Sequence, residues 1–112
     1  MTINKRDILL LNQIVESIEL IMNYISGLDI EDFLEQKQIQ DAVLRRLQII
    51  GEATKLVSED TKLLKTEVPW KSISGMRDVV VHQYWSVDLR LTWNTIVEAL
   101  PGIFSVLSDM IK

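Results

Sequence analysis

The feature that most constrains the fold of this chain is a helical spacing of apolar residues that recurs along its length. The first stretch, over residues 4–25, places apolar side chains at intervals of three and four, which is the spacing of one helix face, at Ile8, Leu11, Val15, Ile18, Met22 and Ile25. The same spacing recurs over residues 38–60, 70–84 and 89–111. The sequence therefore predicts four long helices.

The helical prediction extends to the fold as a whole. Residues 79–81 are three consecutive valines, but no second strand-like segment exists to pair with them, and an isolated strand is not stable. Residues 28–36 indicate a short extra helix with Asp29 as its cap. We therefore predict an all-α, up-and-down bundle of four or five helices. Its C-terminal helix should be kinked or divided at Pro101.

The second long stretch has the widest apolar arc, which indicates contact on two sides, either as the central helix or as a dimer surface. Gly51 lies in its middle, where glycine costs about 1 kcal/mol relative to alanine. A glycine there indicates a neighbour that approaches the backbone closely. Glu52, beside it, is a candidate partner for another helix, and nothing in the sequence makes it a catalytic base.

Length and composition limit the classes of function. A chain of 112 residues fits a single domain over residues 1–112. A net charge of −4 argues against non-specific coating of nucleic acid, although a local basic site remains open. With one His and no Cys, we expect no metal site and no cofactor, and the lack of Cys fits a cytoplasmic protein. We expect no signal peptide or membrane span, because polar residues interrupt the N-terminal apolar run at Asp7, Asn12, Gln13 and Glu16.

The segment over residues 76–85 concentrates reactive side chains among apolar ones. Asp78 and His82 are four residues apart and share a helix face, where the carboxylate can orient the imidazole. Arg77 and His82 are five apart, so they point roughly 140° away from one another. One helix does not easily bring both to one substrate atom, whereas two copies in a symmetric dimer can.

An Arg and a His directed at one point suit a phosphodiester. The Arg fork binds phosphate and stabilises transition-state charge, and the His moves protons near neutral pH. With RNA, removal of the 2′-hydroxyl proton lets that oxygen attack the adjacent phosphorus without a metal. Composition and spacing alone favour a structural interpretation, in which a lone His is a core residue and Arg77 and Asp78 form a surface ion pair. Arg45 and Arg46 fit either a solvated edge or a phosphate-binding margin, and we assign Trp70, Trp93 and Phe104 to the core.

Arg77, His82 and Tyr84 form the pattern R-x4-H-x-Y, and here the chain resembles HEPN domains of the HepT type. Residues 41–53 resemble the second long helix of that family, and residues 68–71 resemble the start of its motif helix. Val87-Asp88-Leu89 followed by Trp93 also fits. Gln83 departs from the family, in which Gly is common at that position.

This resemblance implies an all-α HEPN bundle that forms a homodimer with a composite cleft. It implies a metal-independent endoribonuclease, the toxin of a type VII toxin-antitoxin pair, in which Arg77 and His82 are catalytic and Asp78 supports them. The partner implied is an MntA-type nucleotidyltransferase antitoxin that transfers AMP to Tyr84. The phosphate- or RNA-binding margin comprises Lys71, Arg45 and Arg46.

Two other functions remain open at this stage. The chain fits a non-catalytic module that binds nucleotide or substrate for a nucleotidyltransferase, with Arg77 and His82 as phosphate ligands. It also fits a dimeric bundle with a purely structural role.

Overall fold

A computed structural model describes residues 2–82 and 88–112, and for residues 78–82 it describes the backbone alone. Over this part of the chain the secondary structure is entirely helical, which confirms the all-α prediction. The helices, in chain order, are α1 (Lys5–Tyr24), α2 (Ile30–Glu35), α3 (Lys37–Leu56), α4 (Glu59–Lys62), α5 (Trp70–His82), α6 (Leu89–Glu98) and α7 (Leu100–Met110).

Helix α3 occupies the centre of the bundle. It packs against α1 on one side and α5 on the other, and the short α2 also contacts it. Helix α7 packs against α1 and α6 and completes the bundle. The prediction of a central helix from the wide apolar arc is therefore confirmed. The fully buried core residues come from most of these helices: Leu11, Ile14, Ile18, Ile21, Phe33, Val43, Ile50, Leu100 and Leu107.

The predicted helix ends are set by local hydrogen bonds. Asn4 caps α1 by accepting a bond from the backbone nitrogen of Asp7 at 2.8 Å. Gly27 follows α1 with φ of +78°, the left-handed conformation that favours glycine. At α2, Asp29 and Asp32 form a reciprocal capping box. These contacts confirm the predicted start of α1 and the predicted short helix.

The C-terminal helix is divided, as Pro101 predicts. Helix α6 ends at Glu98 and α7 begins at Leu100, so the proline lies in the first turn of α7, where its missing N–H costs no internal bond. Asp88 caps α6 by accepting a bond from the Leu91 backbone nitrogen at 3.0 Å. Of the helices in residues 2–82 and 88–112, none combines the length and the apolar character needed to cross a lipid bilayer.

The prediction that the second long helix runs to Asp60 is wrong. Helix α3 ends at Leu56, and Val57 and Ser58 take extended backbone conformations before α4 begins. The cause is a tertiary contact, because the Asp7 carboxylate accepts hydrogen bonds from the Ser58 backbone nitrogen and hydroxyl and from the Thr61 hydroxyl. These bonds tie the first turn of α1 to the segment between α3 and α4.

Asp7 is a charged group with only 1% of its surface exposed. Burial raises the pKa of its carboxyl group, but the hydrogen bonds from Ser58, Thr61 and Asn4 outweigh burial and leave the pKa below its ordinary value. The charged form is therefore the stable one in the folded protein. Because the folded pKa is depressed, the resulting stabilisation is fully present above the unfolded pKa of about 3.9 and is lost as pH falls through the folded pKa.

We expect Asp7→Asn to lower the free energy of unfolding by about 2 kcal/mol at pH 7, since hydrogen bonds to a charged group are worth roughly 1.5–3 kcal/mol. The difference from the native protein should begin to shrink below about pH 4, where the unfolded chain takes up a proton at Asp7, and should be lost as pH falls through the depressed pKa of the folded protein. Urea denaturation at several pH values measures both effects. Asp60→Asn, at an exposed position on α4, is the control, and equal stabilities for the two variants would contradict the proposed role of Asp7.

Candidate functional site

Helices α3 and α5 come into backbone contact where Gly51 meets Arg77. A Cβ atom at position 51 would lie 2.6 Å from the backbone nitrogen of Arg77 and 2.7 Å from its Cβ. Atoms do not approach that closely without a shift of the backbone, so glycine is the residue that fits. The predicted close approach at Gly51 is confirmed, and the neighbour is the Arg of the R-x4-H-x-Y pattern.

Glu52 bridges the same two helices through its carboxylate. Its Oε1 lies 3.8 Å from Nε of Arg77 in an ion pair. The same oxygen accepts a hydrogen bond from Nε2 of Gln48 at 3.2 Å. The prediction that Glu52 is an inter-helix partner is confirmed. Sequence reasoning missed Gln48, although its position four residues before Glu52 places both on one face of α3.

The side chain of Arg77 is 34% exposed, and that of Glu52 is 46% exposed. The backbone of Arg77 therefore lies at a buried helix contact, while part of its side chain is exposed to solvent. The five N–H donors of a guanidinium match the geometry of a phosphate. Arg77 is therefore a candidate phosphate-binding residue whose backbone is fixed at the helix crossing.

The backbone of α5 is helical from Trp70 to His82, which confirms the predicted helix over this range. Positions 78 and 82 are four residues apart on it and share a face, whereas positions 77 and 82 are separated by roughly 140°. The hydrogen bonding predicted between the Asp78 and His82 side chains stays a prediction. Tyr84 and Gln83 lie outside the described residues, as do residues 86–87 of the predicted turn.

Lys71 is exposed in the first turns of α5 and does not lie beside Arg77. The two are six residues apart, which is roughly 9 Å along the helix axis and roughly 120° around it. Lys71 instead lines an open cleft of about 420 Å³. Trp70 and Ser74 of α5 also line this cleft, together with Lys62 and other residues in α4 and just after it. Positions 78 and 82 each lie within roughly 20° of position 71 around α5, on either side of it, so the three share one face of the helix.

The two consecutive arginines of α3 have different surroundings. Arg45 is exposed and lies two turns before Glu52 on the same face of the helix. Arg46 is half-buried, and its Nη1 lies 3.5 Å from the Ser17 hydroxyl of α1. Arg45 is therefore on the helix face that carries Glu52, whereas Arg46 contacts α1.

The aromatic residues assigned to the core fit that assignment. Trp70 is 9% exposed, and its indole N–H donates to the backbone carbonyls of Lys62 and Lys65 at 3.1 and 2.9 Å. Trp93 packs against Phe33 with ring centroids 5.4 Å apart. These hydrogen bonds hold the start of α5 against the end of α4 and the residues that follow it, so they help to position α5.

Comparison with known proteins gives a consistent result. Residues 14–110 match the family model described as "Ribonuclease HepT-like". The "Probable ribonuclease HepT" of Thermococcus cleftensis is 44% identical over 93 residues, covering 83% of this chain and 84% of that protein. A "Putative RNase" of Methanocaldococcus jannaschii is 37% identical over 109 residues, covering 96% of this chain and 90% of that protein.

A third relative, also from Methanocaldococcus jannaschii, is longer. It is named "Gamma-glutamylcyclotransferase and putative RNase" and is 42% identical over 93 residues. These residues cover 83% of this chain but only 42% of that protein, so the similarity concerns one part of it. No solved structure matches this chain.

The Gly51 contact yields a direct test of the helix crossing. We expect Gly51→Ala to lower the free energy of unfolding by about 1 kcal/mol, because an overpacked contact costs roughly 1–3 kcal/mol and the gain in helix propensity of about 1 kcal/mol offsets only part of that cost. Urea denaturation followed by circular dichroism measures the change.

Gly75→Ala is the matched control, because Gly75 lies in α5 and a Cβ there would have no atom within 4 Å. This variant should be more stable than the native protein by up to about 1 kcal/mol. If both substitutions stabilise the protein alike, the close approach of α5 to α3 at Gly51 is wrong.

Proposed function

The chain belongs to the HepT-like ribonuclease family, and we propose that it is a metal-independent endoribonuclease. In this proposal it is a single HEPN domain over residues 1–112 that acts in the cytoplasm. Its catalytic residues are Arg77 and His82, with Asp78 in a supporting role. It requires no cofactor.

One observation carries this proposal: the backbone of the motif Arg is fixed against the central helix, and its side chain is partly exposed to solvent. An arginine whose backbone and Cβ are already fixed loses less conformational entropy when its guanidinium binds a phosphate, so it is preorganised for that role. His82 lies on the same helix. The family match and the R-x4-H-x-Y pattern support the same assignment.

The proposed reaction is an internal transfer at phosphorus. A base, His82, takes the proton of the 2′-hydroxyl, and the 2′-oxygen forms a bond to the adjacent phosphorus while the bond to the 5′-oxygen breaks. The leaving 5′-oxygen receives a proton from a His82 imidazolium, so the step yields a 2′,3′-cyclic phosphate and a 5′-hydroxyl. Arg77 stabilises the negative charge that develops on the phosphoryl oxygens.

The angular separation of the motif residues supports a homodimer. On the helix α5, positions 77 and 82 are directed roughly 140° apart. Two copies of α5 that meet around a two-fold axis would place the His82 of each protomer near the Arg77 of its partner. We propose that the active site is composite for this reason.

Exposed cations extend the proposed RNA path beyond the reactive phosphate. Lys71 lies on the face of α5 that also holds positions 78 and 82, and Arg45 lies on the α3 face of Glu52. Both can contact flanking phosphates of an RNA strand. Arg46 is half-buried and contacts Ser17 of α1, so we place it at the outer edge of the proposed margin.

For regulation we propose a toxin-antitoxin pair in which an MntA-type nucleotidyltransferase neutralises this chain. The Tyr84 hydroxyl oxygen attacks the α-phosphorus of ATP, its bond to pyrophosphate breaks, and the hydroxyl proton passes to solvent. Tyr84 is close to His82 in sequence, so the added AMP brings a charged phosphate and a base to the neighbourhood of His82. It would compete with RNA for the cations of the cleft.

We expect the purified protein to cleave a mixed RNA in excess EDTA and to leave 2′,3′-cyclic phosphate ends. Arg77→Ala and His82→Ala should each lower the cleavage rate by at least about 100-fold, the scale of a lost proton-transfer group or oxyanion donor. Gel analysis of timed samples measures the rate, and end-specific labelling identifies the new termini.

Both variants must first be shown to keep the native thermal stability and oligomeric state. Lys37→Ala, at an exposed position on α3, controls for loss of one positive charge. Native protein that carries no AMP on Tyr84 and still leaves RNA intact at high concentration would overturn the ribonuclease assignment. It would favour the non-catalytic binding module.

Co-expression with an MntA-type nucleotidyltransferase should place AMP on Tyr84 and abolish RNA cleavage. Peptide mass spectrometry locates the adduct, and the cleavage assay measures its effect. Tyr84→Phe should escape both modification and neutralisation, whereas Tyr24→Phe should not. Neutralisation of Tyr84→Phe as complete as that of the native protein would contradict modification as the mechanism.

A further inference from the structure

The ion pair between Glu52 and Arg77 has geometry that stability alone does not explain. Both side chains are partly exposed, and the 3.8 Å separation of Oε1 from Nε makes a loose contact rather than a hydrogen bond. Exposed ion pairs of this kind contribute only about 0–1 kcal/mol to folding. The contact is therefore better explained by its effect on where the Arg77 side chain points.

Two consecutive residues of α3 act on the two ends of Arg77. Gly51 is buried and meets the backbone and Cβ of Arg77. Glu52 is exposed, about 100° further round the helix, and meets the guanidinium. The base of the side chain is thus held at the helix crossing, and its charged end is drawn to the solvent-facing edge of that crossing.

The carboxylate that draws the guanidinium outward is itself held. Gln48, one turn earlier on α3, donates a hydrogen bond from Nε2 to the same Oε1 that faces Arg77. This bond limits the rotamers available to Glu52. A carboxylate restrained in this way can restrain the cation that it faces, which is how supporting side chains orient a functional group.

We propose that Glu52, held by Gln48, is a positioning residue that orients the guanidinium of Arg77 toward the scissile phosphate. The inference rests on the proposed ribonuclease function and names the residue that prepares its phosphate-binding group. Glu52 itself does not touch the RNA. Its carboxylate contacts Nε, the guanidinium nitrogen nearest the main chain. A phosphate can bind the two terminal nitrogens of the guanidinium instead.

The test is Glu52→Gln, which keeps the shape of the side chain and removes its charge. We expect kcat for RNA cleavage in EDTA to fall about tenfold, because a reacting group displaced by about 1 Å can cost up to 100-fold. KM should stay unchanged or fall, since the substitution removes a negative charge near RNA. Glu52→Asp, which keeps the charge, should recover part of the kcat.

Glu31→Gln is the matched control. Glu31 forms a similar exposed ion pair, with its Oε1 3.7 Å from Nη2 of Arg90, away from α5. Both substitutions change the net charge by the same amount, so a general electrostatic effect on RNA binding appears in both. A twofold or smaller change in kcat for Glu52→Gln, an increase in kcat, or an equal change in Glu31→Gln would overturn the positioning role.

A second readout is independent of catalysis. The Arg77 Nε–Hε group gives an NMR signal that can be assigned by its loss in Arg77→Ala. In Glu52→Gln its order parameter should fall and its hydrogen exchange should quicken. If native protein without AMP on Tyr84 leaves RNA intact but this signal loosens in Glu52→Gln, the ribonuclease function fails and the restraint of the Arg77 guanidinium by Glu52 stands. If the signal is unchanged, the positioning fails whatever the activity.

Discussion

The backbone contact between α3 and α5 at Gly51 is the constraint on which the rest of the site depends. Helix α3 is the centre of the bundle, so a residue that touches its backbone is fixed relative to the whole core. Arg77 is that residue, with its backbone nitrogen and Cβ against the face of Gly51. The site is therefore built outward from the core rather than assembled from surface loops.

A second set of tertiary contacts connects α1 to the start of α5. Asp7 in α1 collects hydrogen bonds from Ser58 and Thr61, which ends α3 and redirects the chain. The indole N–H of Trp70 then bonds to backbone carbonyls at the end of α4 and just after it. This sequence of contacts links the first turn of the protein to the first turn of the motif helix. The charge of Asp7 thus contributes to the placement of a site far from it in sequence.

The sequence predicts the local features well because each has a local cause. Apolar spacing identifies the long helices, Pro101 identifies the division of the last one, and Gly51 identifies the close approach. The end of α3 was not predictable, since it depends on Asp7, which lies 51 residues away from Ser58 in sequence. Gln48 was missed because its role depends on which helix packs beside it. Likewise, spacing alone did not reveal that Arg45 is exposed whereas Arg46 contacts Ser17 of α1.

The glycine contact has a consequence for how such a protein can diversify. The position of Arg77 is set by main-chain atoms and by the absence of a side chain at position 51. Substitutions on the outer faces of α5 and α3, other than at Glu52 and Gln48, can therefore accumulate without moving the backbone of Arg77. A chain that keeps this one small residue can change the charges on the surrounding surface while the crossing of α3 and α5 keeps its geometry.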